Sequence, residues 1–211
     1  MKRVARIVAI VGLAACHKPT IIGVKNGVTP ASIAKADSGR VPITQADLTF
    51  MSGMIGHHAQ AIVMARWAPS HGASASLRVL CERIVVAQTD EIASMQGWLR
   101  KRHQPVPEAD PEGWRMTMNG ALHTMRMPGM LTPAQMQELD AARGTEFDRL
   151  FLTYMIQHHE GAITMVEQLF GSNGAAQDDA VFKFASDVNA DQSTEIERMQ
   201  LMLAALQGSP P

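Results

Sequence analysis

The stretch FMSGMIGHHAQAIVMA, Phe50 to Ala65, returns later in the chain as FLTYMIQHHEGAITMV, Phe151 to Val166. At one constant offset the copies agree at Phe50/Phe151, Met54/Met155, Ile55/Ile156, His57/His158, His58/His159, Ala61/Ala162, Ile62/Ile163 and Met64/Met165. Neither copy contains proline, and apolar residues recur three and four positions apart, the period of a helix. A step of about 100° per residue places Met54, His57, His58, Ala61 and Met64 within an arc of roughly 120°, with Met155, His158, His159, Ala162 and Met165 placed identically. Each helix face therefore carries two imidazoles flanked by two thioethers. Four of the eight histidines are spent on this doubled pattern. A repeat of this kind governs the architecture before any local assignment is made.

Working outward, each copy belongs to a helical hairpin. Thr44-Gln45-Ala46-Asp47 has the capping-box pattern and starts a helix running to about Trp67, which Pro69 and Gly72 end. A second helix is predicted over roughly 73–103, with Leu77, Leu80, Cys81, Ile84, Ile92, Met95, Trp98 and Leu99 on its apolar face. Cys81 there reads as a small buried hydrophobe. Gln88 and Glu91 share that face, where polar groups need partners. Thr145-Glu146-Phe147-Asp148 reads as the cap of the helix that carries the second copy to about Phe170, and a last helix covers roughly 177–206. Gln88, Glu91, Ile92, Met95, Gln96 and Leu99 find counterparts in Gln192, Glu195, Ile196, Met199, Gln200 and Leu203. The hairpin itself is thus duplicated. Two hairpins joined by one long crossover predict an all-α fold, a ferritin-like four-helix bundle. A pseudo-twofold axis between them would turn both His-His faces toward a shared core.

The domain is predicted to span 44–206: a first hairpin (44–103), a crossover (104–144) and a second hairpin (145–206). The crossover begins with QPVPEADPEGWRMTMNGALHTMRMPGML, rich in Pro, Gly and Met, and then forms a short helix with Pro133 at its first position. A connection this long tends to be functional. Before the domain, Lys2, Arg3 and Arg6 precede an apolar run, Ile7 to Ala15, too short to span a bilayer. Leu13-Ala14-Ala15-Cys16 resembles the bacterial lipoprotein processing box. Residues 1–15 are accordingly expected to be a signal peptide, Cys16 the lipidated residue, and 16–43 a flexible tether in the cell envelope or periplasm. Loss of 1–15 leaves 16 basic against 20 acidic side chains, a net charge of −4 in place of −1. That balance argues against nucleic acid as a partner and confines membrane contact to the lipid.

Thioether sulfur is soft, neutral and not protonated at ordinary pH, so it favours Cu(I) and similar ions, while imidazole suits copper, zinc and iron. In an oxidising compartment, where cysteine would be oxidised, a Met/His set suits Cu(I) or Ag(I). Fifteen methionines beside one tyrosine and six phenylalanines is heavy usage. Met116, Met118, His123, Met125, Met127 and Met130 are candidates for a further, open soft-metal site in the crossover. Glu91 and Glu195 are suited to orient the histidine rings. The rival reading is a ferritin-like di-metal oxidoreductase, which needs a Glu-x-x-His motif on two helices. No glutamate stands three residues before any histidine. A structural or partner-binding envelope lipoprotein is the third reading.

The paired M-x-x-H-H-x-x-A-x-x-M copies, the PGMLTPAQ segment and the EFDRLF run resemble the "domain of unknown function 305" family over essentially all of 44–206. The resemblance implies a ferritin-like helical fold, export, and binding of copper or silver through Met and His in support of metal tolerance. Carried over by motif, the implied ligands are Met54, His57, His58 and Met64, with Met155, His158, His159 and Met165. Ala59 and Gln60 stand where the second copy has Glu160 and Gly161, so the two sites need not bind equally. The sequence thus leads to a non-enzymatic metal-binding protein, with a copper exporter or another envelope copper protein as the expected recipient of the ion.

Overall fold

The computed structural model describes residues 41–208, apart from the side chain of Met118. The expected signal peptide, Cys16 and nearly all of the expected tether lie outside the described residues. The fold is mostly helical: α1 (Gln45–Arg66), α2 (Ala75–Lys101), a ribbon of β1 (Trp114–Met118) and β2 (Ala121–Met125), then α3 (Pro133–Ala141), α4 (Gly144–Phe170) and α5 (Asp179–Leu206). No described helix is long and apolar enough to cross a membrane.

Helix starts follow their local chemistry with one exception. At α1, the Thr44 hydroxyl accepts from Asp47 N–H while the Asp47 carboxylate accepts from Thr44 N–H at 2.7 Å, closing the capping box. Thr132 and Gln135 repeat the device at α3, behind Pro133. The exception is α4. It begins at Gly144, not behind Thr145, and its N-cap Arg143 makes no side-chain cap bond. Tertiary contact sets this start instead, because Gly144 N–H donates to His71 O at 2.8 Å.

Asp148, read in the sequence as part of that cap, is used across the molecule. Both its carboxylate oxygens accept from Ser74 N–H at 3.2 Å, just ahead of α2. Asp47, its counterpart at the repeat offset, accepts from Ala176 N–H at 2.7 Å, just ahead of α5. Each hairpin's first helix thereby holds the other hairpin's turn. These charge-assisted bonds are buried at the carboxylate end, where they are strong.

The two hairpins meet through α1 and α4, which run antiparallel. Phe50, Met51, Met54 and Ile55 from the start of α1 pack with Ala162, Met165, Val166 and Leu169 from the end of α4. Ala61, Met64 and Ala65 from the end of α1 pack with Phe147, Phe151 and Met155 from the start of α4. Cys81 lies buried in this second cluster, with its thiol pushed up to about 12 by burial foremost. The histidine pairs sit between the two apolar clusters.

The crossover is more ordered than the sequence reading allowed. The antiparallel ribbon pairs Trp114 with Met125, Met116 with His123 and Met118 with Ala121. It turns at Asn119-Gly120, both with positive φ (52° and 79°), the backbone that Asn-Gly supplies to a tight hairpin. Met127 and Met130 do not belong to an open segment either; both are buried in the core beside Phe50 and Met165.

Two glycines let the crossover lie against the histidine-bearing helices. A Cβ on Gly56 of α1 would come 2.9 Å from the Gly113 carbonyl carbon, and one on Gly161 of α4 would come 2.1 Å from Pro128 O. Since the atoms met at Gly161 are backbone, Gly161→Ala is expected to displace the crossover and destabilise the fold by about 1–3 kcal/mol. Gly97→Ala, in open space on α2, should instead stabilise by up to about 1 kcal/mol. Urea denaturation of the two variants should therefore move the midpoint in opposite directions.

Candidate metal centre

His57, His58, His158 and His159 are all fully buried, each at 0% exposure. The antiparallel crossing of α1 and α4 brings His57 against His158 as a tilted pair, with ring centroids 3.7 Å apart at an interplanar angle of 36°. The second ring of each pair points outward to its own hairpin partner. His159 Nε2 lies 2.7 Å from Glu195 Oε2 on α5 in hydrogen-bond geometry. His58 Nε2 lies at the same 2.7 Å from Glu91 Oε2 on α2, but off the bond axis, so this nitrogen makes no formal hydrogen bond. The distance carries the electrostatic contact in both copies; only the second copy also has the directional bond.

These partners decide where the protons sit. A carboxylate or a carbonyl oxygen can only accept, so a neutral imidazole facing one must present its N–H there. His159 therefore carries its proton on Nε2, toward Glu195. Contact with Glu91 favours the same tautomer in His58. His57 Nε2 faces Pro128 O at 3.1 Å and is protonated for the same reason. In the neutral form of these rings the lone pair falls on Nδ1, and all three Nδ1 atoms are buried without a hydrogen-bond partner. Both nitrogens of His158 are likewise unpartnered. An unsatisfied buried polar atom costs about 1–3 kcal/mol, so a cluster of them is an unmet demand for a Lewis acid or a proton.

At His57 and His158 a proton is poorly suited to meet it. His57 and His158 are both held well below the ordinary histidine value, foremost by burial and then by neighbouring imidazoles. Neutral imidazole is the form that ligates metals, and burial favours that form at His57 and His158. Among the described residues, no three His, Cys, Asp or Glu side chains already converge as on one ion. The arrangement is two imidazole–carboxylate pairs flanking a tilted, closely apposed imidazole pair. Binding would use ring rotation, thioether sulfur, or both.

The sulfur is at the two ends. Met54 and Met165 lie buried with Met95, Met127 and Met130 at one end, and Met64 and Met155 with Met199 at the other. Gly53 leaves room for part of the first group, since a Cβ there would meet Met127 Sδ at 2.5 Å. Met130 Sδ itself accepts from Met127 N–H at 3.2 Å. Of the crossover candidates, Met116, His123 and Met125 stand on the ribbon, away from this interior. His71, outside the repeat, is a satisfied structural histidine with Nε2 2.9 Å from Asp140 O.

The centre lies between two different walls. On one side the crossover covers it at Pro128. On the other, a groove of about 580 Å³ runs between α2 and α5, lined by Glu82, Glu91, Asp191 and Glu195 with the buried Gln88 and Gln192. The Asp191 carboxyl is held above its usual range by burial foremost, then by Glu91, Asp187 and Glu195. Sequence reasoning missed the Pro128 carbonyl, because a backbone acceptor leaves no residue signature.

The fold and this site define a duplicated helical-hairpin protein with a buried Met/His centre. The family model "Domain of unknown function (DUF305)" matches residues 47–203, and the chain belongs to that family. It is similar to a putative secreted DUF305 protein from Streptomyces coelicolor, with a TM-score of 0.64 and 29% identity, covering 78% of this chain and 94% of that one. A DUF305 fragment from Deinococcus radiodurans is similar at a TM-score of 0.63 and 26% identity, covering 78% and 99%. The chain is also similar to CopM in its Cu(II)-bound form, with a TM-score of 0.58 and 28% identity over 75% of this chain and 96% of that one. CopM structures with Cu(I) and with Ag are similar at 27% identity. No curated protein matches the chain.

The depressed His57 and His158 values set the acid behaviour of the metal-free protein. Below about pH 6.5 the unfolded chain takes up protons at both positions, while the folded chain does not. Stability should be complete above that pH and fall as the pH drops, by up to about 1.4 kcal/mol per pH unit for each ring. Denaturation curves at about pH 7.5 and 5.5 should show this loss, and His158→Leu should flatten the slope.

Proposed function

We propose that this protein binds Cu(I), with Ag(I) as a close analogue, at the buried centre, and sequesters or hands on the ion without catalysing a reaction. The observation that carries this reading is the set of buried, unpartnered imidazole lone pairs on His57, His58 and His159, with thioethers at both ends of the same helices. Hard ions are poorly served by that donor set, and soft monovalent ions are well served. The copper- and silver-bound forms of the similar CopM support the choice of metal.

Within this reading Glu195 holds the His159 ring by its Nε2–H and Glu91 holds His58 by electrostatic contact, so that both outer imidazoles are oriented from the hairpin partner helices. The carboxylates are thereby engaged in orienting rings, which favours a binding protein over a di-metal oxidase. Export as an envelope lipoprotein anchored at Cys16, the ferritin-like classification of the fold and delivery to a copper exporter or another envelope copper protein belong to the same proposal.

Competition titration with a Cu(I) chelator under reducing conditions tests it. Replacing His57, His58, His158 and His159 together should abolish tight binding at the centre. Glu195→Gln should weaken it by about 10–100-fold, and Glu91→Gln by less, because only Glu195 makes the aligned bond. Unchanged affinity in a folded four-histidine variant would overturn the assignment.

A further inference from the structure

We propose that the β-ribbon carries a second, surface site for a soft monovalent cation, built from Met116, His123 and Met125 beside the indole of Trp114. The proposal rests on the copper-binding reading only for the choice of ion; its geometry is independent of the buried centre.

The register makes the site. Met116 stands directly opposite His123, and Trp114 directly opposite Met125. Opposed residues of an antiparallel pair share a face, with Cβ atoms about 4.5–5.5 Å apart and diagonal neighbours about 7–8 Å apart. Alternate residues along a strand return to the same face. Two thioethers, one imidazole and one indole therefore lie on one side of the ribbon, while Arg115, Thr117, Leu122 and Thr124 lie on the other. Thioether and imidazole together select a soft ion. The indole face adds attraction for any cation held over it, most strongly where water is partly excluded.

Packing accounts for Trp114, which is partly buried against the core, and in part for the half-buried Met116, but not for His123 or Met125. Every residue of β2 is exposed, and Met125 is 40% exposed. The thioether of Met125 thus fills little core, in contrast to Met127 two residues on. The ribbon stands across α1 where Gly113 meets Gly56. Trp114 and Met116, together with Arg115 at the edge of the ribbon, line a groove shared with Leu48 and Ser52 of α1. Thr124 and Arg126 line a different groove, with Gln60 and Val63. The Met/His face is therefore separate from the buried histidines, yet β2 leads within three residues to Pro128, whose carbonyl faces His57. An exposed site at that position suits capture and exchange of the ion.

Ag(I), stable in air, is the probe. The full-length protein is titrated while the methionine methyl and histidine ring signals are followed by NMR. The Met116, Met125 and His123 signals should shift, and Trp114 fluorescence should be quenched, in the intact chain. In a Met116→Leu, His123→Ala, Met125→Leu variant the stoichiometry should fall by one Ag(I) per chain while the buried-histidine signals still respond. In the four-histidine variant the ribbon signals should still shift. Unchanged stoichiometry in the ribbon variant, or ribbon signals that never move, overturns this site and leaves the buried centre standing. Loss confined to the ribbon variant, with the four-histidine variant binding fully, supports the ribbon and overturns the buried centre.

Discussion

Four imidazoles withdrawn from water at one helix crossing are the constraint under which the rest of this structure is arranged. A neutral imidazole brings one donor and one acceptor, and each needs a partner once buried. The donor half is met by Glu195 on α5 and the Pro128 carbonyl of the crossover, with Glu91 on α2 in electrostatic contact only. The acceptor half is left open toward the interior. An ordinary core would not tolerate that imbalance, and the surrounding structure holds it in place. Asp47 and Asp148 tie each hairpin to the turn of the other, which opposes separation of α1 from α4. Gly56 and Gly161 let the crossover close over the crossing.

The duplication is close but not symmetric, and the reason is topological. One chain has only one crossover, and that segment cannot lie on both copies in the same way. Gln60 of the first copy accepts from Leu131 N–H at 2.6 Å and donates to Leu131 O and Pro111 O. Its counterpart Gly161 makes space for Pro128 and Gly129. The exchange runs the other way one turn earlier. There Gly56 admits Gly113, and its counterpart Gln157 donates to Gly129 O. Side chain and gap thus alternate between copies to fit one asymmetric strap. His57 gains a carbonyl partner from this arrangement, whereas both nitrogens of His158 remain unpartnered.

The repeat made the hairpins, the burial of the histidines and the pairing of imidazole with glutamate legible in the sequence. Those features depend on helical periodicity and on residues recurring at a fixed offset, which are local facts. What was not legible depended on tertiary partners or on weak local signals. The start of α4 is set by His71 O and not by Thr145, and no capping pattern can announce that. Asp47 and Asp148 recur at the repeat offset, but their role as mutual clasps exists only once the hairpins meet. The ribbon was missed although Asn119-Gly120 marks its turn. Its second strand is exposed on both faces, so the alternation of apolar and polar residues that identifies a strand is missing. The same blindness merged Met125 with Met127, one on the surface and one in the core.

The two walls of the centre differ in the kind of attraction they exert. The groove between α2 and α5 carries carboxylates, which draw in cations of any hardness and set a local field without choosing among them. Sulfur stands at the two ends of the crossing and in the crossover, where a soft ion gains and a hard ion does not. Under the proposed function, charge gathers cations and sulfur sorts them, with imidazole between the two as a ligand acceptable to either class. Carboxylate and thioether do not need to meet on one ion for this to work. The carboxylates reach the outer imidazoles from α2 and α5, and the thioethers stand at the two ends of the same pair of helices, which the antiparallel crossing of two copies of one helix provides.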